Sequence, residues 1–360
     1  MTRGERPWTW REAGPADRED QCRLFNLCFR KQKDVDTFRW KYERNPHGTA
    51  VSRVALNAAG ETVGAYSYVP RRFLRDGEPV VLAQASDAMV DPSARRQGIF
   101  TGLDDIVCEA TGAMGVPVAW AYSGRLSYSG FLGNGWRDIG RAVVHRYRYR
   151  SERGLRRLGR LWHVARFATG LEDALLARRD RRRFGQAEHG LLPLGRFDER
   201  VDALCEAAAP RRGLVGVRDA AWLNWRYVDT PSGRQECFAL PGREAGALDG
   251  YLVAEFVDGN AFLVDHVARH DEARLALLHA FTLMGWQRGM EEATALLFDH
   301  HPAAAVLPRL GWRRPLKRKL FRDIFPFIVR RCREDAAADY DEMSRWFLAD
   351  GDRDAEHMSA

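Results

Sequence analysis

The chain repeats itself. Trp40, Lys41, Tyr42, Pro46 and Gly48 recur as Trp225, Arg226, Tyr227, Pro231 and Gly233, each 185 residues later. Two further matches follow in the same order: Gly64 with Gly250, each opening an apolar stretch after a turn, and Gly135-Trp136 with Gly311-Trp312, each closing a short helical stretch. Matches that keep their order over the whole length argue for a duplication, and 360 residues suffice for two units with a core each. The expected division is an N-terminal unit over 1–150, a basic helical connector over 151–190, a C-terminal unit over 191–332 and an acidic tail over 333–360.

Within each unit the coarse order is helices, then strands, then a helix between strands, which is the order of an α/β sheet covered by helices. In the first unit, helices are expected over Ala16 to Arg30, Val35 to Arg44 and Gly98 to Met114, with a short one near Ser127 to Gly133. Strands are expected over Ser52 to Asn57, Val63 to Leu74, Val80 to Val90, Val116 to Tyr122 and Ala142 to Arg150. The second unit carries a matching helix at Leu275 to Trp286.

Charge is unevenly placed. The net charge is +7, but Arg146 to Arg183 alone holds thirteen arginines against four acids, and Arg333 to Ala360 holds three arginines against nine acids. The two unit bodies are therefore not strongly basic, and no nucleic-acid surface is expected. No apolar run approaches the ~18 residues a membrane helix needs, and the first ten residues lack a secretory pattern, so a cytoplasmic location is expected. Six scattered cysteines include no C-x-x-C pair, which argues against a disulfide framework and against a cysteine zinc site.

The most informative stretch runs from Ser86 to Thr101. An apolar strand ends at Asp91-Pro92, and Arg95-Arg96-Gln97-Gly98 then opens a helix, so backbone N–H groups from Gln97 through Ile99 and Phe100 to Thr101 converge on one point. That is a place to hold a phosphate, with Arg95 and Arg96 adding positive charge. A strand-to-helix turn with solvated arginines is the competing reading.

This stretch resembles the acyl-CoA-binding motif of the GNAT acetyltransferase superfamily, Arg/Gln-x-x-Gly-x-Gly/Ala, here Arg95-x-x-Gly98-x-Phe100 with Phe100 in place of a small residue. The family's later motif is matched in spacing by Gly124, Ser127, Phe131 and Gly135-Trp136, departing at Gly124 and at Phe131, where the family has tyrosine. The spacing returns as His300, Ala303, Leu307 and Gly311-Trp312, so the whole chain looks like a tandem-GNAT protein of the kind found among bacterial polysaccharide and secondary-metabolite acyltransferases. The resemblance implies an α/β fold of two tandem GNAT-like domains, each a mixed, mostly antiparallel sheet flanked by helices. It also implies an acetyl-CoA-dependent N-acyltransferase acting on a primary amine of a small or amino-sugar-type acceptor, with no metal. An aminoacyl-tRNA-dependent Fem-type transferase and a non-catalytic acyl-CoA-binding module are the alternatives.

Residue by residue, the resemblance places Met89 and Val90 beside the pantetheine arm and Arg95, Arg96, Gln97, Gly98, Ile99, Phe100 and Thr101 around the pyrophosphate. The second half lacks a glycine before its matching helix, so one acyl-CoA site per chain is expected. An alkylamine with a pKa near ~10.4 must lose a proton before it attacks a thioester. Asp87, the one ionisable residue on its strand segment, is the expected base, with a buried carboxylate capping a neighbouring backbone as the competing reading, and Tyr128, three residues before Phe131, is the expected acid.

Four further features carry competing readings. His300-His301 lacks a third ligand at suitable spacing, and Asp350 to Asp354 lacks the closing glutamate of a calcium loop, so neither is expected to bind metal. The segment 154–176 reads as a basic amphipathic helix, for which packing between domains is favoured over contact with an anionic membrane. Trp346-Phe347-Leu348 in the acidic tail is apolar for a disordered end, which suggests a tail docked on the body near the acceptor cleft, but a solvated or merely packed tail is the favoured reading.

Overall fold

Apolar strands punctuated by turns dominate the chain, and in the computed structural model, which describes residues 7–150, 162–185, 187–210, 212–316 and 318–354, fourteen of them join one sheet. The strands are β1 (Thr9–Glu12), β2 (Val51–Leu56), β3 (Thr62–Arg75), β4 (Glu78–Val90), β5 (Val118–Tyr122), β6 (Arg137–Arg148), β7 (Leu192–Pro193), β8 (Leu214–Gly216), β9 (Gln235–Pro241), β10 (Leu248–Val257), β11 (Asn260–Ala268), β12 (Glu292–Phe298), β13 (Ile324–Arg331) and β14 (Trp346–Phe347). The helices are α1 (Arg18–Phe29), α2 (Val35–Tyr42), α3 (Ile99–Ala113), α4 (Tyr128–Leu132), α5 (Trp162–Phe184), α6 (Glu199–Ala208), α7 (Ala220–Leu223), α8 (Asp271–Gln287) and α9 (Pro302–Val306). Every element expected in the first half is present, the largest change being that β6 begins at Arg137. Part of the expected connector helix is α5; residues 151–161 and the side chains through 171, on which the amphipathic reading rests, lie outside the described residues.

The sheet runs β1-β2-β3-β4-β5-β13-β6-β12-β11-β10-β9-β7, with β8 on β3 and β14 on β8. Most pairs are antiparallel; β4 with β5, β11 with β12 and β8 with β14 are parallel. The two expected sheets are thus one, joined by an exchange: β13, from the second half, pairs with β5, while β6, from the first half, pairs with β12. A boundary at residue 150 follows β6, whose hydrogen-bonded neighbours are β12 and β13.

Each half packs its own helix on the sheet. The α3 residues Leu103 and Val107 bury against the β2–β3 surface, in one core with Tyr68 and Trp136. The α8 residues Leu277 and Phe281 do the same against β10 and β11, with Trp312. Between them the repeated segments meet. Trp40 and Trp225 stack with ring centroids 4.6 Å apart and planes 18° from parallel. Each indole N–H donates to the other's backbone carbonyl, at 2.9 Å from Trp40 and 3.0 Å from Trp225, so both buried donors are satisfied across the junction.

The tail docks, as its aromatic residues suggest. Trp346 is fully buried among Phe73, Trp120 and Phe327. Asp352 then receives guanidinium groups from both halves, Arg71 at 3.3 Å and Arg218 at 2.5 Å, and its carbonyl accepts from Gln84 at 2.6 Å. Among the described residues no helix is long and apolar enough to cross a membrane.

Two stability measurements test this packing. Trp225→Ala removes a stacked ring and one hydrogen bond from the junction, and it is expected to cost about 3–5 kcal/mol in urea unfolding. Three buried histidines stay neutral: burial and neighbouring arginines push His47 down to about 2 and His145 to about 4, and burial takes His266 to about 4. Below pH ~6.5 the unfolded chain binds protons that the folded chain refuses, so stability falls on acidification. Each histidine removes ~1.4 kcal/mol per pH unit until its folded value is reached. The urea midpoint should already drop between pH 7 and pH 5, before the carboxylates titrate; a flat midpoint there would show that these rings are not buried in the neutral form.

Candidate active site

β4 and β5 pair only at Ala83 with Ala119 and Gln84 with Trp120, and β4 runs on to Val90 without β5 beside it. A bulge adds to the divergence, since Ala65 and Ser67 of β3 face Met89 and Ser86, leaving Asp87 and Ala88 where the partner has one residue. Asp87 takes the bulge's left-handed backbone, φ +49°, which aspartate tolerates better than most residues. The splayed strands open a cavity of about 850 Å³, walled by β4, the start of α3, the β5–α4 segment and the tail residues Arg353 and Asp354.

One wall of the cavity is built for an anion. Asp91 accepts from the Ser93 amide at 2.9 Å and starts the turn, Arg96 and Gly98 sit at φ +65° and +75°, and α3 begins at Ile99. A Cβ on Gly98 would meet nothing within 4 Å, so glycine is needed there for its backbone, not for space. Among the described residues the amides from Gln97 to Thr101 donate to no backbone carbonyl or side chain. A row of unsatisfied donors at the start of a fifteen-residue helix, with Arg95 and Arg96 on the wall, fits a pyrophosphate.

Another wall holds a charge cluster. Lys41 of α2 reaches Asp87 Oδ2 at 2.8 Å and Asp354 Oδ1 at 2.5 Å, and the Tyr42 hydroxyl donates to the same Asp87 oxygen at 2.7 Å. Burial opposes the charge on Asp87, yet Lys41 and Lys33 together hold its carboxyl below the usual range. Asp354 goes the other way: burial, reinforced by the Asp87 charge, raises it against the pull of Lys41. Lys41 itself is raised, because its two carboxylates outweigh its burial, while burial and the Lys41 charge push Lys33 down to about 8. Two carboxylates with opposite shifts around one lysine differ in proton affinity, which is the arrangement acid–base chemistry needs.

The structure brings Asp87, Val90, Arg95, Arg96, Gly98, Ile99, Phe100 and Thr101 to this cavity. Met89, Gln97 and Tyr128 are not on its wall. The Met89 side chain is buried with Leu24 and Phe38, while the role expected of this residue rests on its backbone, and the Gln97 carbonyl accepts from the Trp8 indole at 3.0 Å. Tyr128 packs on Phe321, and its hydroxyl donates to Asp138 and lies 3.4 Å from Arg141, so the expected acid is held away from the cluster by its own partners. Phe131 does line the cavity, against Phe100 at 5.2 Å. Lys41 lies inside the repeated segment and carries no sequence signal for chemistry, and neither Tyr42 nor Asp354 is expected as an acid or base; the sequence points to Asp354 only through the tail carboxylates suggested near the acceptor cleft.

The residues weighed for metal have other partners. His300 Nε2 lies 2.8 Å from the Trp346 carbonyl, and His301 Nδ1 accepts from the Ala303 amide at 3.2 Å. Asp350 pairs with Arg353 at 3.1 Å.

Comparison with known proteins adds the following. Residues 9–137 match the profile of the acetyltransferase (GNAT) domain. No curated protein matches the chain. Among solved structures, a GCN5-related N-acetyltransferase from Anabaena variabilis superposes with a TM-score of 0.62 at 12% identity, covering 91% of this chain and 73% of that one. Another from Kribbella flavida superposes with a TM-score of 0.58 at 16% identity, covering 89% of this chain and 70% of that one. Likeness at this identity is likeness of fold.

Lys41→Met tests the cluster. It leaves two buried carboxylates without their cation and is expected to cost about 3–5 kcal/mol at pH 7.5. The loss should shrink at pH 5, where one carboxylate takes up a proton, and Lys41→Met with Asp354→Asn should recover part of it. Equal losses at both pH values would show that the lysine packs without neutralising.

Proposed function

We propose, from the match of residues 9–137 to the acetyltransferase (GNAT) domain, that the chain is an acyl-CoA-dependent N-acyltransferase, using acetyl-CoA on a primary amine of a small or amino-sugar-type acceptor. One observation carries this reading: a single cavity is walled both by the start of α3, with unsatisfied amides and two arginines, and by two carboxylates that share a buried lysine. Acyl-CoA bound there supplies an electrophilic thioester carbonyl. The chain's own work is to hold the pyrophosphate with the amides from Gly98 to Thr101, to exclude water with Phe100 and Phe131, and to take the proton of the amine.

The proton goes to the carboxylate pair. Asp87 stays charged and anchors Lys41 and Tyr42 through one oxygen, so it fixes the cluster and draws in a cationic amine. Asp354, with the raised proton affinity, is the stronger base of the two and accepts the proton directly or through a water. The reading assigns no acid for the departing thiolate to Tyr128, whose hydroxyl is bound elsewhere.

We read the second half as a degenerate copy. In support, α8 starts from His270 in an extended conformation, where α3 starts from a left-handed glycine. Asp265 is the counterpart of Asp87, but Arg218, Tyr227 and Tyr251 surround it at 3.0 to 3.1 Å.

Thiol release from acetyl-CoA with a panel of primary amines tests the activity, and calorimetry should give one acetyl-CoA per chain. Asp354→Asn should lower kcat by ~10² to 10⁴ while leaving acetyl-CoA affinity within about twofold. The wild-type kcat/KM should rise with pH through the raised Asp354 value and lose that limb in Asp354→Asn. A variant with kcat within a few-fold of wild type would remove Asp354 as base, and the same outcome in Asp87→Asn would remove the pair.

A further inference from the structure

The second half has a cavity of its own. β11 and β12 pair from Asn260 with Glu292 to Leu263 with Ala295 and then separate, much as β4 leaves β5. The space beyond, about 270 Å³, is closed by the C-terminal part of α6, by β8, by the starts of α8 and α9 and by Phe347 to Ala349 of the tail. Its position relative to β11 and α8 corresponds to that of the first cavity relative to β4 and α3, but its walls are mostly aliphatic, with Val215, Val217 and Val267 among them.

His266, on the free part of β11, lines this space. It is 6% exposed, and among the described residues neither of its ring nitrogens has a hydrogen-bond partner. Burial keeps the ring neutral, with its pKa pushed down to about 4, so it carries one donor and one acceptor, both sealed from solvent until a turn of the ring brings one to the cavity. The nearest ring, His301, stands 5.4 Å away and spends Nδ1 on the Ala303 amide. Leaving a buried imidazole unmet at both nitrogens is costly unless something else meets it.

The deep charged groups around the cavity are already matched, and among the described residues the charge left over is Glu206, exposed on α6 at the rim. Arg218 is bound by Asp265 and Asp352, Arg274 by Asp271, and Asp219 by Arg72 at 2.6 Å. Asp202 accepts from the Ala220 amide at 2.7 Å. A charged ligand would give up its hydration against aliphatic walls and find no deep counter-charge to spare, whereas a group that both donates and accepts meets whichever nitrogen His266 presents.

We propose that this cavity is a second ligand site, distinct from the acyl-CoA cleft, for a small, uncharged, largely apolar molecule whose one hydroxyl or carboxamide head binds His266. The volume sits near the lower end of ligand pockets, ~300–1,000 Å³, which limits the occupant to about the size of an arylalkanol.

Titration calorimetry on the full chain with one skeleton and four heads decides it: 3-phenylpropan-1-ol, 3-phenylpropanamide, 3-phenylpropanoate and headless propylbenzene. The alcohol and the amide should bind saturably at one site per chain, with the carboxylate and the hydrocarbon at least tenfold weaker, and saturating CoA should not displace them. His266→Phe should abolish this binding, leave acetyl-CoA affinity unchanged, and raise the melting temperature by removing an unmet polar ring from the interior. No saturable binding of either neutral probe, tighter binding of the carboxylate, or displacement by CoA overturns the proposal, and the wild-type series decides even where the variant does not fold.

Discussion

The reciprocal bond between Trp40 and Trp225 is the contact around which the rest is arranged. Two indoles stacked at 4.6 Å could slide, but each N–H is tied to the other's carbonyl, and that fixes both translation and rotation of one half against the other. The residues that follow each tryptophan are fixed with it. Lys41 and Tyr42 are delivered to Asp87, and Tyr227 to Asp265. The same pair of dipeptide steps therefore sets up a cation between two carboxylates in one half and a closed hydrogen-bond cage in the other.

The tail converts that junction into a site. Its aromatic residues are held by ordinary burial, and Asp352 is then gripped by arginines from both halves, so Asp354 arrives at Lys41 with little freedom left. Ordering a tail segment beside a cleft is entropically costly, and the offset comes from residues that never touch the cleft. A carboxylate supplied late in the chain also keeps its raised proton affinity, because it is buried by the act of docking and shares its lysine with a neighbour of the same sign.

Much of this was legible beforehand and some of it could not be. The repeat at 185 residues identified the two tryptophans that meet, though nothing in their spacing said that they meet each other. Apolar alternation and the Asp91-Pro92 and Gly98 signals placed the strands and α3 closely, because these are local preferences of the backbone. The exchange of β6 and β13 left no trace: a central strand is apolar on both faces whichever neighbour it has. Asp87 was legible as the lone ionisable residue on an apolar strand, but the direction of its shift depends on Lys41, Tyr42 and the tail, which are 46, 45 and 267 residues away in sequence. Tyr128 was placed by helical adjacency alone, and adjacency does not reveal that Asp138, ten residues on, claims its hydroxyl.

The exchanged strands carry a consequence for how the molecule comes into being. β5 waits for β13, and roughly 200 residues separate them, a stretch that a ribosome adding ~5–20 residues per second needs on the order of 10–40 s to deliver. Through that interval the first half has an open edge in the middle of what becomes its sheet, flanked by the aromatic rings of Trp120 and Tyr122. Such an edge is a template for pairing with the wrong chain. The nascent first half is thus most exposed while the second is being made, and synthesis, not sequence order, decides when the cleft acquires its walls.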